Sequence, residues 1–370
     1  MTSTSSTCTF SGARGQDLAA RLERPVGPLR GAALFAHCFT CGKDLRVERQ
    51  LTAALTRQGF AVLSFDFAGL GRSGGEFADS SFTADVADLR AAADYLTETV
   101  TAPSLLVGHS LGGAAVLSVA PTLDGVRAVA TIGAPADPGH VEHLLDGDLE
   151  AVRRDGSAPV TIAGRTFTVG RSFLEELEQG DPRERIAGFD GATLIMHAPR
   201  DELVGIDNAE ILYHAARHPK SFVSLDDADH LVTDPDDATY VAAVIAAWAG
   251  RYLPAAEGRG ESYEGAGVTA RNTDGFLTTL DSRGSFLVAD EPEDVGGTEQ
   301  GPTPYDYLAM SLASCTAMTM RMYADRKDWQ VGELAVEVSH ERVHADDCVE
   351  CEHTDGQSTG STACCTCPGD

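Results

Sequence analysis

Residues 105–113 read Leu105-Leu106-Val107-Gly108-His109-Ser110-Leu111-Gly112-Gly113. An apolar run feeds into Gly-x-Ser-x-Gly, and helix-forming residues follow at once (Ala114, Ala115, Val116, Leu117). Strand, sharp turn and helix in that order are what a nucleophile elbow requires. Such a turn strains the serine backbone, so glycines are expected at 108 and 112 where a side chain would collide. The Ser110 hydroxyl then stands exposed at the tip of a parallel strand. The next amide, that of Leu111, points at the same spot from a helix N-terminus, where partial positive charge favours an oxyanion.

Outward from this stretch, apolar strands alternate with helical spacing. Strands are expected at 31–37, 61–67, 128–132, 193–197 and 221–225, and helices at 45–59, 82–96, 206–217 and 236–252, after an opening hairpin over 8–25. This alternation predicts an α/β fold with a doubly wound parallel sheet. Residues 137–191 break the rhythm with a helical piece (140–154), a hairpin-like piece (160–169) and an acidic helix (172–179). Their place after the strand that follows the elbow suits a lid; the alternative is an ordinary surface insertion.

On such a sheet the catalytic groups come from loops at the carboxyl ends of strands. Asp201 and His230 each follow a strand, giving the chain order Ser110, Asp201, His230. Ser110 is read as nucleophile, His230 as general base and then acid, and Asp201 as the carboxylate that orients the imidazole. Glu202, Asp207, Asp227 and Asp229 are rival carboxylates. His109 and His197 are rival imidazoles, read as packed or satisfied core residues, and Asp207 as a helix N-cap. Leu111 and Phe39 are the expected amide donors of an oxyanion hole. The turn at 66–73 is read as structural.

The chain has 370 residues, 43% of them hydrophobic, enough for one large domain and a smaller one. With 56 acidic against 28 basic residues the net charge is −28, which argues against nucleic acid as a partner. The N-terminus lacks an apolar signal region, no stretch has the length of a membrane span, and the nine cysteines do not form a secreted disulfide pattern. A cytoplasmic protein without membrane attachment is expected. A Gly-, Ala-, Glu- and Pro-rich segment at 254–267 reads as a linker after a first domain at 1–253.

These motifs carry two resemblances. Residues 31–252 resemble an α/β-hydrolase of the serine aminopeptidase or dienelactone-hydrolase-like kind, through His37-Cys38-Phe39, Gly69-Leu70-Gly71-Arg72-Ser73, the elbow, Pro199-Arg200-Asp201 and Ala228-Asp229-His230. Cys38 departs from the glycine common in such relatives, and a side chain there narrows the oxyanion hole. The resemblance implies an acyl hydrolase, of esters or amides, acting on a small molecule with no cofactor and no metal. A non-catalytic, ligand-binding hydrolase scaffold is the alternative.

Residues 262–353 resemble the OsmC/Ohr family of thiol-dependent peroxide reductases, through Gly301-Pro302-Thr303-Pro304-Tyr305-Asp306, Ala313-Ser314-Cys315-Thr316-Ala317-Met318-Thr319-Met320-Arg321 and Leu334 to His340. Strands are expected at 262–287, then a long apolar helix through Arg326. Hydrolase followed by OsmC-like domain is a known bacterial arrangement. On pattern alone Cys315 is a buried small hydrophobe; by the resemblance it is the peroxidatic thiol, with an organic hydroperoxide and a thiol reductant as partners, Arg271 or Arg283 lowering its pKa, and an intertwined homodimer as the assembly. Tyr305 stands where peroxide-reducing members carry a glutamate that holds the arginine. The domain is placed at 262–356, and the tail 357–370 replaces the family's last elements, so the domain is read as incomplete and the tail as irregular. His344, Cys348, Cys351, His353, Cys364 and Cys367 include two C-x-x-C pairs, read as free thiols in preference to a zinc site.

Overall fold

A computed structural model describes residues 3–26, 29–37, 46–76, 81–137, 146–147, 149–162, 165–171, 182–253, 267–272, 275–283, 285–344 and 357–366. The chain divides into two compact units, Thr2–Ser262 and Tyr263–Asp370, the second joined by Met1.

The first unit opens with β1 (Ser3–Ser11) and β2 (Asp17–Pro25), an antiparallel hairpin. β3 (Gly31–Ala36), α1 (Arg46–Arg57), β4 (Phe60–Phe65), α2 (Phe82–Thr99), β5 (Pro103–His109), α3 (Leu111–Val119) and β6 (Ala128–Ile132) follow. Next come β7 (Asp146–Gly147), α4 (Leu149–Asp155), β8 (Ser157–Ile162), β9 (Arg165–Gly170) and α5 (Pro182–Ala187). β10 (Ala192–His197), α6 (Asp207–Ala215), β11 (Lys220–Ser224) and α7 (Pro235–Ala249) complete the unit.

One eight-stranded sheet runs in the order β1-β2-β4-β3-β5-β6-β10-β11. β4, β3, β5, β6, β10 and β11 are parallel, and the β1–β2 hairpin adds antiparallel through β2. β3, β4, β5, β6 and β10 are buried along their whole lengths, as expected where helices cover both faces. Strand alternation divides the core. Leu34, Leu63, Phe65 and Leu106 pack with α2, α3 and α6, while Phe35, Val62, Leu105 and Val107 pack with α1 and α7. This is the doubly wound arrangement, and it brings the carboxyl ends of β3, β5, β6 and β10 to one edge.

Within 137–191, β7, β8 and β9 form a small antiparallel sheet. Val152, Ala158, Val160, Val169, Ile186 and Phe189 join the core on the α2–α3 face. The expected helix over 140–154 is corrected: Asp146–Gly147 is a strand, and the helix is only Leu149–Asp155. Gly147 has little helical preference and breaks the run. Residues 138–145, 148 and the expected helix at 172–179 lie outside the described residues.

The second unit contains β12 (Val268–Asn272), β13 (Thr278–Ser282) and β14 (Ser285–Ala289), an antiparallel sheet. α8 (Pro304–Arg326) follows, then β15 (Ala335–His344) and β16 (Gln357–Thr366). Tyr307 on α8 donates its hydroxyl to the Val288 carbonyl at 2.7 Å, tying helix to sheet.

Two expectations fail here. The tail was expected to be irregular, yet 357–366 pair antiparallel with β15 through ten residues, from Ala335 opposite Thr366 to His344 opposite Gln357. Ser and Thr dominate this strand, so hydrophobic alternation does not announce it, while β-branched threonines and main-chain pairing suffice to form it. Cys315 is exposed rather than buried among apolar neighbours. Along α8 only Ala324 is buried, because the described part of this unit offers two small sheets and no second α-helix to cover it. Among the described residues no helix is long and apolar enough to cross a membrane.

Candidate active site

The elbow follows from local sterics. Ser110 adopts φ 55° and ψ −127°, between β5 and α3. A side chain in that region is strained and persists only where surroundings enforce it. Here its N–H donates to the Ile132 carbonyl at 2.8 Å and its own carbonyl accepts from Gly113 N–H at 2.8 Å. A Cβ on Gly108 would strike the main chain of Gly112 and lie 2.6 Å from the Gly113 Cα. One on Gly112 would strike the Ala36 and His37 carbonyls, the latter at 2.5 Å. The glycines are thus demanded by the passage of α3 across β5 and β3. Leu111 is the first residue of α3, and its N–H is one of the helix donors without an intrahelical acceptor.

Three side chains separated along the chain meet beside this turn. His230 Nε2 lies 2.9 Å from Ser110 Oγ, and His230 Nδ1 lies 2.7 Å from Asp201 Oδ2. The ring must carry its proton on Nδ1 to donate to the carboxylate, which leaves Nε2 to accept from the hydroxyl. Asp201 Oδ1 accepts the N–H groups of Leu203 and Val204, each at 2.9 Å. Burial pushes the Asp201 carboxyl up, but the bonds from His230, Val204 and Leu203 outweigh it and hold it below the usual carboxylate range. Gly133, at φ 55°, backs the pair: a Cβ there would sit 3.3 Å from Asp201 Oδ2 and from His230 Nδ1.

The rival groups are occupied elsewhere. Asp229 accepts from Leu231 N–H at 2.9 Å and from the Thr233 hydroxyl, closing the turn after β11. Asp227 pairs on the surface with Arg200 at 3.0 Å. Glu202 is exposed. Asp207 is corrected as an N-cap: it is the first residue of α6, and Ile206 precedes it without a side-chain cap bond. Its charge in the first turn suits the helix dipole instead.

His197 is fully buried at the end of β10, where its Nε2 donates to the Val204 carbonyl at 2.7 Å. Burial lowers its pKa, so the ring is neutral. It braces the loop that carries Asp201. His109 is also fully buried, and its Nε2 lies 2.6 Å from the His230 carbonyl. His197 is thus the satisfied core histidine that the sequence suggests, and His109 is packed as expected; the bond from His109 to the His230 carbonyl is what the spacing does not announce.

Phe39 and Cys38 lie outside the described residues. The segment's flanks are anchored: His37 Nε2 is 3.6 Å from Asp66 Oδ1, and Glu48 Oε1 on α1 accepts from Arg21 Nη2 at 2.9 Å. Asp66 also accepts from Arg72 N–H at 3.1 Å, so the 66–73 turn organises this corner.

In the second unit Cys315 is a free, exposed thiol in the middle of α8. No described hydrogen bond or ion pair joins it to Arg271 or Arg283. Thr303 and Asp306 form a capping box at the helix start, the Asp306 carboxylate accepting from Thr303 N–H and hydroxyl, each at 2.8 Å. Tyr305 stacks on His340, ring centroids 5.6 Å apart. Cys348, Cys351, His353 and Cys367 lie outside the described residues, and only the backbone of His344 and Cys364 is described. Among the described residues no cluster of His, Cys, Asp and Glu has the form of a metal site.

Comparison with known proteins agrees with this fold. The Alpha/beta hydrolase family profile matches residues 31–295, and that of the OsmC-like protein family matches 297–358. The esterase domain of a Rhodothermus marinus protein is 50% identical, covering 67% of this chain and 99% of its own, with a TM-score of 0.58. Est1E from Butyrivibrio proteoclasticus, solved with ferulic acid, superposes with TM-score 0.58 at 19% identity over 66% of this chain and 99% of its own. Mouse alpha/beta hydrolase domain-containing protein 10 does so with TM-score 0.53 at 20% identity, over 66% and 99%. At those identities the last two show the fold alone. None of the curated proteins searched matches the chain. Matched over more than half its length, the chain belongs to the Alpha/beta hydrolase family, with an OsmC-like domain fused behind the hydrolase.

Proposed function

We propose that the first unit is a serine hydrolase that cleaves small acyl esters through an acyl-enzyme. The observation that carries this reading is the unbroken hydrogen-bond chain from Ser110 through His230 to Asp201, beginning at a strained elbow. Ser110 Oγ attacks the acyl carbonyl as His230 Nε2 takes its proton. Asp201, held ionised, stabilises the imidazolium and fixes its tautomer. The oxyanion is received by Leu111 N–H and by the main-chain donor expected at Phe39. His230 returns the proton to the leaving alkoxide, and a water activated by the same ring releases the acid. The small sheet and helix within 137–191 form a lid that shapes the acyl site and limits water. The 50% identity to an esterase domain supports ester over amide cleavage. The free thiols of Cys8 and Cys315 fit a reducing cytoplasm.

The test is hydrolysis of p-nitrophenyl esters by wild type and Ser110→Ala. The reading requires loss of at least about a thousand-fold in kcat with the fold intact; retained turnover refutes it.

A second activity is favoured by the exposure of Cys315. A thiolate there would attack the O–O bond of an organic hydroperoxide, becoming a sulfenic acid and releasing the alcohol, and a thiol reductant would return it through a mixed disulfide. Asp306 is committed to the capping box, so an arginine partner would need another anchor. Pairing of two copies through the OsmC-like unit accompanies this reading. Cys315→Ser should abolish hydroperoxide consumption and leave ester cleavage intact.

A further inference from the structure

The proposed mechanism uses one imidazole and leaves its neighbour without a task. The His109 ring lies 5.3 Å from that of His230, and its Nε2 is 2.6 Å from the His230 carbonyl oxygen. That oxygen can only accept, so the bond requires a proton on His109 Nε2. Burial, reinforced by the adjacent His230 ring, drives the pKa of His109 down to about 3, so the ring carries that single proton. Its Nδ1 meets no hydrogen-bond partner among the described residues.

The bond matters because of what else holds His230. Its loop is closed by local contacts: Ala228 N–H to the Leu225 carbonyl, Val232 N–H to the Asp229 carbonyl, and Leu231 N–H to the Asp229 side chain. Asp226 and Val232 take positive φ, 47° and 51°, so the loop turns sharply at both ends of the His230 segment. Leu225, Ala228 and Val232 bury the loop's flanks in the core and Asp201 holds the ring, but neither contact places the main chain of His230 against the strand that leads to Ser110, 120 residues earlier. The His109 bond does place it. It ties the main chain of His230 to the residue covalently attached to the nucleophile, on the last residue of β5, which is buried and paired on both sides.

We propose that His109 is a positioning residue of this hydrolase: its Nε2–H holds the main chain of His230 so that the His230 ring stays over Ser110. A neutral donor serves here where a cation would not. It fixes the carbonyl without opposing the positive charge that His230 acquires during turnover. The inference rests on the serine-hydrolase reading above.

Reach provides the test. In the full-length protein, His109→Gln places an amide N–H near the position of Nε2, whereas His109→Asn carries the same amide on a shorter arm that falls short of the His230 carbonyl. Hydrolysis of p-nitrophenyl acetate and the rate of fluorophosphonate labelling are measured for both, beside wild type and Ser110→Ala, with folding checked by thermal unfolding. We expect the Gln variant within about 3-fold of wild-type kcat and the Asn variant lower by about 10- to 100-fold, with KM within about 2-fold and labelling slowed in parallel. Equal kcat in the two variants, whether both high or both low, overturns the proposal, as does a loss confined to KM. Activity or labelling retained by Ser110→Ala overturns the hydrolase reading itself; loss in Ser110→Ala with an Asn variant at wild-type rate overturns only the role of His109.

Discussion

The Asp201 carboxylate receives the His230 Nδ1–H at 2.7 Å while its other oxygen is clamped by two main-chain N–H groups of its own loop. The carboxylate thus has one orientation, and the imidazole inherits it. Asp201→Asn preserves shape but presents an amide whose donor can face the ring, favouring the wrong tautomer. We expect kcat to fall by roughly 10⁴-fold with KM little changed, by analogy with the trypsin triad. Steady-state kinetics on an activated ester checks this.

The same carboxylate sets an acid limit. Its folded pKa lies below the ordinary 3.8, so its contacts contribute stability that is fully present above the unfolded value and lost as pH falls through the folded one. Thermal unfolding of wild type and Asp201→Asn should therefore differ at about pH 6, and the gap should shrink as pH falls below 3.8. A gap that widens on acidification would contradict this assignment.

Glu48 behaves in the opposite sense. It is fully buried on α1, burial raises its pKa above 4.5, and Arg21 Nη2 supplies the cation at 2.9 Å. Arg21→Met removes that cation and raises the folded pKa further. The penalty is then small below the unfolded value and grows as pH rises through the folded one. We expect a loss of about 3–5 kcal/mol at neutral pH, shrinking towards pH 4. Chemical denaturation at the two pH values measures it. Glu48 sits where α1 follows the segment expected to carry the Phe39 donor, so the variant should also lower esterase activity while it remains folded.

Gly133 is a steric guard of the acid–base pair. Alanine there meets both a positive φ and atoms of Asp201 and His230 at 3.3 Å. The backbone strain costs about 1–2 kcal/mol, and displacement of the ring should lower kcat roughly 10- to 100-fold. A Gly133→Ala enzyme with wild-type kcat would show that the pair tolerates displacement.

Much of this was legible in the residues because burial on both faces writes a simple pattern. Leu105 to His109 and Ala192 to His197 are apolar runs too short for helices, bounded by glycine or proline, and each proved a central parallel strand. Ser110 and Asp201 each follow such a run, whereas His230 follows the half-buried edge strand β11, and the structure brings the three side chains together. What escaped notice depends on main-chain geometry. The bond from His109 to a carbonyl 121 residues away leaves no periodic trace. β16 escaped because its Ser- and Thr-rich sequence pairs through backbone groups that every residue possesses. α8 has the composition of a core helix, yet only Ala324 is buried, since composition does not say whether a second layer exists to cover it.

The central claim is that one hydroxyl, on Ser110, is made nucleophilic by its place 2.9 Å from His230. The most direct measurement is mass spectrometry of the intact protein and its peptides after fluorophosphonate treatment. A single adduct on the peptide containing Ser110, absent from Ser110→Ala and strongly slowed in His230→Ala, is the predicted result. No adduct on the wild-type chain, or one that survives Ser110→Ala, would contradict it.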